Sequence, residues 1–91
     1  MKSYMEKTLS ELKKNDFLAQ KVEHFNVHGG VRQDLFGFLD IVACHPRHGL
    51  IGVQVCGQDF NPHVEKILGP RREASLLWLL SGGRILLFGW R

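Results

Sequence analysis

The chain has 91 residues, 44% of them hydrophobic and 23% charged, a composition that excludes intrinsic disorder and leaves room for a single domain. The formal net charge of +3 at pH 7 favours anionic partners such as nucleic acid. No apolar run approaches the roughly 20 residues of a membrane span, and the N-terminal segment is too polar for a signal peptide. A cytoplasmic protein without membrane contact is therefore predicted, and the small core leaves open whether it is a monomer or a homodimer.

The first elements predicted are a helix and a strand. Ser3 and Glu6 have the spacing of a capping box, and apolar residues then recur at helical intervals until the polar stop at Asn15. A partly exposed strand is predicted over 17–26, because apolar and polar residues alternate there before a turn-rich segment that ends at Gly30.

The next two segments are predicted to form a hairpin. Residues 35–44 and 50–56 are apolar and rich in Ile and Val, and a loop with turn chemistry separates them. A symmetric loop pairs Cys44 with Leu50, and counting back along both strands places Asp40 opposite Gln54. An Asp in so apolar a strand needs a polar partner, a metal ion or water, because its desolvation is costly.

Three further elements complete the predicted fold. A helix capped by Asp59 or Asn61 ends at Gly69, a second helix covers 71–80, and a strand apolar on both faces covers 85–90. The order αβββα(α)β predicts an α/β fold with a four-stranded mixed sheet flanked by helices. The predicted core consists of Leu35, Leu39, Ile41, Val53, Val55, Ile67, Leu77, Leu80, Ile85 and Leu87.

The hairpin carries a resemblance to a known family. The segments Gly-Phe-Leu-Asp-Ile-Val-Ala at 37–43 and Gly-Val-Gln-Val-Cys at 52–56 resemble two motifs of the small PD-(D/E)XK nucleases. Those motifs are Gly-x-x-Asp-Ile/Leu-x-Ala and apolar-Val-Glu-Val-Lys. The resemblance implies a restriction-endonuclease-like αβββαβ core over residues 1–91, although Asp40 alone keeps the family's residue type among the acidic and lysine positions of the site.

The resemblance also implies a site. Its metal ligands would be Asp40, Gln54 and the backbone carbonyl of Val55, and they would hold magnesium, with manganese as a substitute. Cys56 stands where the family has a lysine that positions or activates the attacking water. Catalysis is expected to be weakened at both changed positions, because Gln54 offers a neutral amide oxygen and Cys56 replaces a cation.

Groups lost from such a site can be replaced from elsewhere in the fold. The candidate substitutes are Lys66, as a displaced catalytic lysine, together with His63, Glu23 and Asp34. Asp34 is the weakest of these, because a continuous strand would place it roughly 20 Å from Asp40 unless the strand bulges.

Two functions follow from these assignments. The first is a magnesium-dependent endodeoxyribonuclease with weak or lost phosphodiester hydrolysis, in which Lys66, Arg71 and Arg72 contact the DNA phosphates. The alternative is a non-catalytic module that binds DNA or protein on a pseudonuclease fold. Under either function, the alternative for the three basic residues is that they form ordinary solvated helix faces.

The remaining cysteines and aromatic residues leave alternatives open. Cys44 and Cys56 are interpreted as reduced thiols, and the spacing of Cys and His fits no standard zinc site. Phe36, Phe38 and Trp90 either stack on bases or pack beneath a helix.

Overall fold

The computed structural model describes residues 3–26 and 28–91, in which three helices flank a four-stranded mixed sheet, with a two-stranded hairpin beside it. This arrangement confirms the predicted α/β fold. No helix in this part of the chain is long and apolar enough to cross a membrane. The elements in chain order are α1 (Tyr4–Lys14), β1 (Leu18–Lys21), β2 (His24–Asn26), β3 (Val31–Gln33), β4 (Ile41–His45), β5 (Gly49–Cys56), α2 (Phe60–Leu68), α3 (Arg72–Leu80) and β6 (Arg84–Gly89).

The strands of the main sheet follow the order β1-β4-β5-β6. The β4–β5 hairpin has the predicted register, with Cys44 opposite Leu50, and Gly49 closes its loop at a φ of +75°. Strand β6 runs parallel to β5, and the crossover that such a pair requires is provided by α2 and α3.

Side chains that alternate along the strands divide the core into two layers. Ile41 and Ala43 on β4 pack with Leu12 of α1, whereas Val42 lies with Ile67 of α2 on the opposite face. Successive side chains of a strand point to opposite faces of the sheet, and both sets are apolar here. Each face therefore needs a helix to cover it.

Helix α1 is capped and anchored by polar contacts. Ser3 Oγ accepts a hydrogen bond from the Glu6 amide at 3.1 Å, as the capping box predicts. Trp90 Nε1, just beyond β6, donates to Thr8 Oγ1 at 2.9 Å, and that hydroxyl donates to the Tyr4 carbonyl at 2.7 Å. The buried Thr8 thereby links α1 to the end of the sheet.

The structure corrects two predicted strands. The strand expected over 35–44 begins only at Ile41, because the preceding segment reverses direction and forms a bridge between Leu35 and Leu39. The strand expected over 17–26 is divided into β1 and β2, because the Val22 and Glu23 amides both donate to the Asp40 carbonyl.

The predicted inward face of α3 is also wrong. Leu77 and Leu80 are 66% and 82% exposed, whereas Ser75 is buried and Trp78 packs against the core. Polar contacts set the orientation of α3 about its own axis, since Ser75 Oγ donates to the Ile67 carbonyl and Trp78 Nε1 donates to the Arg84 carbonyl. Leucines lie on several sides of this helix, so its hydrophobic pattern does not define one buried face.

The last strand is less covered than predicted. Strand β6 forms an edge of the sheet, and Leu86 stays exposed on it while Ile85 and Leu87 pack against the α2–α3 layer. On the opposite face, Phe88 packs against the core cluster that contains Leu12 of α1.

Candidate metal centre

Three carboxylates from separate segments meet at one end of the central sheet. Glu23 follows β1, Asp34 follows β3 and Asp40 precedes β4, and one carboxylate oxygen from each lies within 4.8 Å of the other two. Among the described residues, no other group of three or more His, Cys, Asp or Glu side chains has this proximity. We refer to Glu23, Asp34 and Asp40 as the acidic triad.

Asp40 is held in the triad by its own backbone. Its amide donates to the Val53 carbonyl at 2.8 Å, and its carbonyl accepts from the Val22 and Glu23 amides at 2.9 and 3.2 Å. Its carboxylate Oδ2 accepts from the Val55 amide at 2.7 Å. Asp40 therefore bonds to β5 on one side and to the segment after β1 on the other. The second contact places Glu23 at the site.

Asp34 reaches the triad through a tight reversal of the chain. The Gly37 amide donates to the Asp34 carbonyl at 3.0 Å, and paired backbone bonds join Leu35 to Leu39. Phe36 and Gly37 supply the positive φ angles of 57° and 79° that this reversal requires. The expected separation of Asp34 from Asp40 was wrong, and Gly37 inside the predicted strand was the signal of a break.

Burial changes the protonation of the triad. Asp40 is 4% exposed, and this desolvation raises its pKa to about 8. The hydrogen bond from the Val55 amide opposes the rise, whereas the adjoining carboxylates of Asp34 and Glu23 add to it. The charge of Asp34 thus disfavours a second charge on Asp40, a conflict that either a proton or a cation at the site relieves.

A lysine from α2 reaches the triad. Lys66 Nζ lies 3.1 Å from Asp34 Oδ2, and both side chains are partly buried. The buried Gln54 amide satisfies both its ends when its nitrogen donates to the Phe38 carbonyl and its oxygen accepts from Lys66 Nζ at 3.3 Å and His63 Nδ1 at 3.2 Å. His63 Nε2 also lies 3.2 Å from Asp59 Oδ2. Gln54 thus holds the ammonium group of Lys66 by a hydrogen bond. It does not add a carboxylate to the triad.

The other residues of the motif have different surroundings. The Val55 amide bonds to Asp40, which places this residue next to the triad. Cys56 Sγ donates to the Phe88 carbonyl at 3.5 Å, and its pKa is raised mainly by burial, with the charges of Asp59 and Asp40 adding to the effect. The thiol therefore remains neutral at pH 7 and supplies no charge at the lysine position of the motif.

Clefts open on two sides of the triad. One cleft of 530 Å³ is lined by Glu23, Asp40 and His63, and another of 770 Å³ is lined by Asp34, Lys66 and Arg71 among others. Of the basic residues predicted to contact DNA, Lys66 and Arg71 therefore share a cleft. Arg72 is exposed at the start of α3.

The cysteines and the histidines of the β4–β5 hairpin loop have other surroundings. Cys44 is an exposed free thiol and Cys56 a buried one. The rings of His45 and His48 are 4.8 Å apart and both contact the ring of Phe17. These histidines form an aromatic contact at the hairpin loop.

Comparisons with known proteins add no relative to this description: no family model, no curated protein and no solved structure matches the chain.

Proposed function

We propose that this protein is a metal-dependent nuclease that hydrolyses phosphodiester bonds in DNA, on a fold similar to that of the PD-(D/E)XK nucleases. The observation that carries the proposal is the acidic triad, whose oxygens lie within 4.8 Å of one another, with Lys66 Nζ 3.1 Å from Asp34. A purely structural role does not explain why three carboxylates meet at this partly buried position, because repulsion between ionised carboxylates opposes folding.

The donor set fits a hard divalent cation. Magnesium and manganese prefer carboxylate oxygens and keep several water ligands, and the three triad side chains can supply such oxygens on one side of an ion. Glu23, Asp34 and Asp40 would hold the ion, which would neutralise charge at the phosphate and favour the ionised form of water. The chemistry of the donors does not favour zinc, since neither cysteine belongs to the triad.

The residues around the triad have roles that follow from their contacts. Lys66, which pairs with Asp34, would stabilise the negative charge that develops on the phosphate oxygens, as a displaced equivalent of the motif lysine. Gln54 fixes the ammonium group of Lys66 on one side, and Asp34 fixes it on the other. Preorganised charge of this kind stabilises a transition state without rearrangement.

The experiment is a titration of the protein with magnesium and manganese by calorimetry, followed by a plasmid-nicking assay. Asp34→Asn and Asp40→Asn are expected to lose metal binding and nicking together. Glu65→Gln, a change at an exposed carboxylate on α2, is the matched control and should retain both. Nicking that persists in both triad variants would exclude the triad as the active site.

A second candidate function is supported by α3. The exposure of Leu77 and Leu80 leaves large apolar side chains in water, which is typical of a surface that contacts another protein. A protein-interaction module, with a second copy of this chain as the simplest partner, fits this surface. Sedimentation of the parent chain and of a Leu77→Lys, Leu80→Lys double variant tests it, since a dimer that uses α3 would dissociate in the variant.

A further inference from the structure

Phe36 occupies an unusual position beside the acidic triad. Its side chain is 60% exposed, whereas Phe38, two residues later, is fully buried at 0%. The ring touches that of Trp78, with centroids 6.4 Å apart and planes inclined by 51°, and the remainder of it faces solvent. The hydrophobic core therefore does not explain why an aromatic residue stands here.

The turn does not explain it either. Phe36 has a φ of 57° and Gly37 a φ of 79°, so both central residues are in the left-handed region. Asn-Gly or Gly-Gly is favoured at such positions, because a bulky side chain is strained there. A strained residue that persists next to a candidate active site points to a role in function.

The surroundings of the ring indicate what it contacts. Phe36 lines the 770 Å³ cleft together with Asp34, Lys66 and Arg71. The Arg71 side chain lies against Gly37, where a Cβ would come within 2.7 Å of its Nε. An exposed aromatic face, two cations and a candidate metal ligand therefore share one opening.

This combination matches the chemistry of an unpaired nucleotide. Its base presents a free π-face that stacks on an aromatic ring, and its phosphates are attracted to basic side chains. Bases within a continuous duplex are stacked on each other and offer no such face. Lys66 and Arg71 in the same cleft favour an anionic occupant over an apolar one.

We propose that Phe36 stacks on an unpaired nucleobase next to the cleaved phosphodiester, so that the substrate is DNA with a gap, a flap or a junction, not a continuous duplex. This inference rests on the proposed nuclease function, which it refines by naming the form of the substrate. Phe36 would be a specificity residue that contacts the substrate and leaves the metal untouched.

The test is a fluorescence-anisotropy measurement of affinity for a continuous duplex and for the same duplex with a gap of unpaired nucleotides. Calcium replaces magnesium so that affinity is measured on uncleaved DNA, because calcium also binds oxygen ligands but differs from magnesium in size and geometry. The unpaired nucleotides are made once as DNA and once as RNA, because a base of either kind can stack on an aromatic ring. We expect the protein to bind the substrate with unpaired DNA more tightly than the one with unpaired RNA. The variants are Phe36→Asn, which suits the turn, Phe36→Leu, which keeps apolar bulk, and Phe36→Tyr, which keeps the aromatic face.

We expect Phe36→Asn and Phe36→Leu to lose about tenfold in affinity for the gapped DNA, while Phe36→Tyr retains it and the duplex affinity of all three stays unchanged. The Tm of Phe36→Asn should equal or exceed that of the parent, because asparagine tolerates the positive φ. Unchanged affinity of Phe36→Asn for the gapped DNA would overturn the proposal. An equal loss on the duplex, or full rescue by leucine, would overturn it as well.

The proposed function is tested separately from this inference. Metal titration of Phe36→Asn should match that of the parent, because the side chain of residue 36 is not among the candidate ligands. If the parent prefers gapped DNA through Phe36 but cleaves nothing, the stacking role stands and the nuclease activity is excluded.

Discussion

The carboxylates of Asp34 and Asp40 lie within 4.8 Å of each other because the chain between them reverses at Phe36 and Gly37. The reversal converts two acidic residues on one chain segment into neighbours across a small site. It also places Phe36 at the edge of that site, so that the geometry of the turn links the candidate metal centre to the candidate substrate contact.

The pH dependence of stability should reveal the buried carboxyl of Asp40. Its pKa rises from 3.8 to about 8 on folding, so the folded state holds this proton between those two values while the unfolded state has lost it. In the metal-free protein, stability from this group is therefore full below the lower value and declines as the pH rises towards about 8. Urea unfolding of the parent and of Asp40→Asn across this range measures the effect, which the variant should lack. A constant difference between the two proteins across the range would contradict the assignment.

Metal binding should release a proton from the same group. An ion bound to the triad requires ionised Asp40, so the apparent affinity should increase about tenfold per pH unit below the pKa of about 8 and level off above it. Calorimetry in two buffers with different heats of ionisation counts the protons released. Equal heats in both buffers would show that Asp40 is not a ligand.

Replacement of Lys66 should separate metal binding from catalysis. Lys66→Gln removes a positive charge 3.1 Å from Asp34, so metal affinity should be unchanged or higher while nicking is lost. Stability should change by less than about 1 kcal/mol, because the ion pair is partly exposed. Lys13→Gln on the exposed end of α1 is the control for the loss of one positive charge. Undiminished nicking in Lys66→Gln would remove the lysine from the mechanism.

Gly37→Ala should disturb the site through the backbone. The residue has a φ of +79°, and its added Cβ would come within 2.7 Å of the Arg71 side chain, so a loss of roughly 1–2 kcal/mol in unfolding free energy is expected. Metal affinity should fall as well, because the turn positions Asp34. Gly30→Ala is the matched control, since Gly30 has a φ of +64° but open space around it. That variant should lose similar stability and keep its metal affinity, and an equal loss of affinity in both would refute the link between turn and site.

Local chemistry determined much of the fold. Ser3 and Glu6 cap α1 through neighbouring atoms, and the register of Cys44 with Leu50 follows from the length of the loop that joins the strands. The need of Asp40 for a polar partner was likewise readable from sequence, because an unpaired carboxyl is costly to bury in so apolar a segment. Such features depend on residues close along the chain, and the sequence specifies them directly.

Tertiary structure decided the rest. Because leucines lie on several sides of α3, its sequence does not define which face points inward. The contacts of Ser75 and Trp78 set that face. The meeting of Glu23, Asp34 and Asp40 depends on backbone bonds between separate segments, and the approach of Lys66 depends on how α2 packs across the sheet. The amino-acid order alone does not give the distances among the triad carboxylates and Lys66, because those distances are set by the packing of elements far apart in the chain.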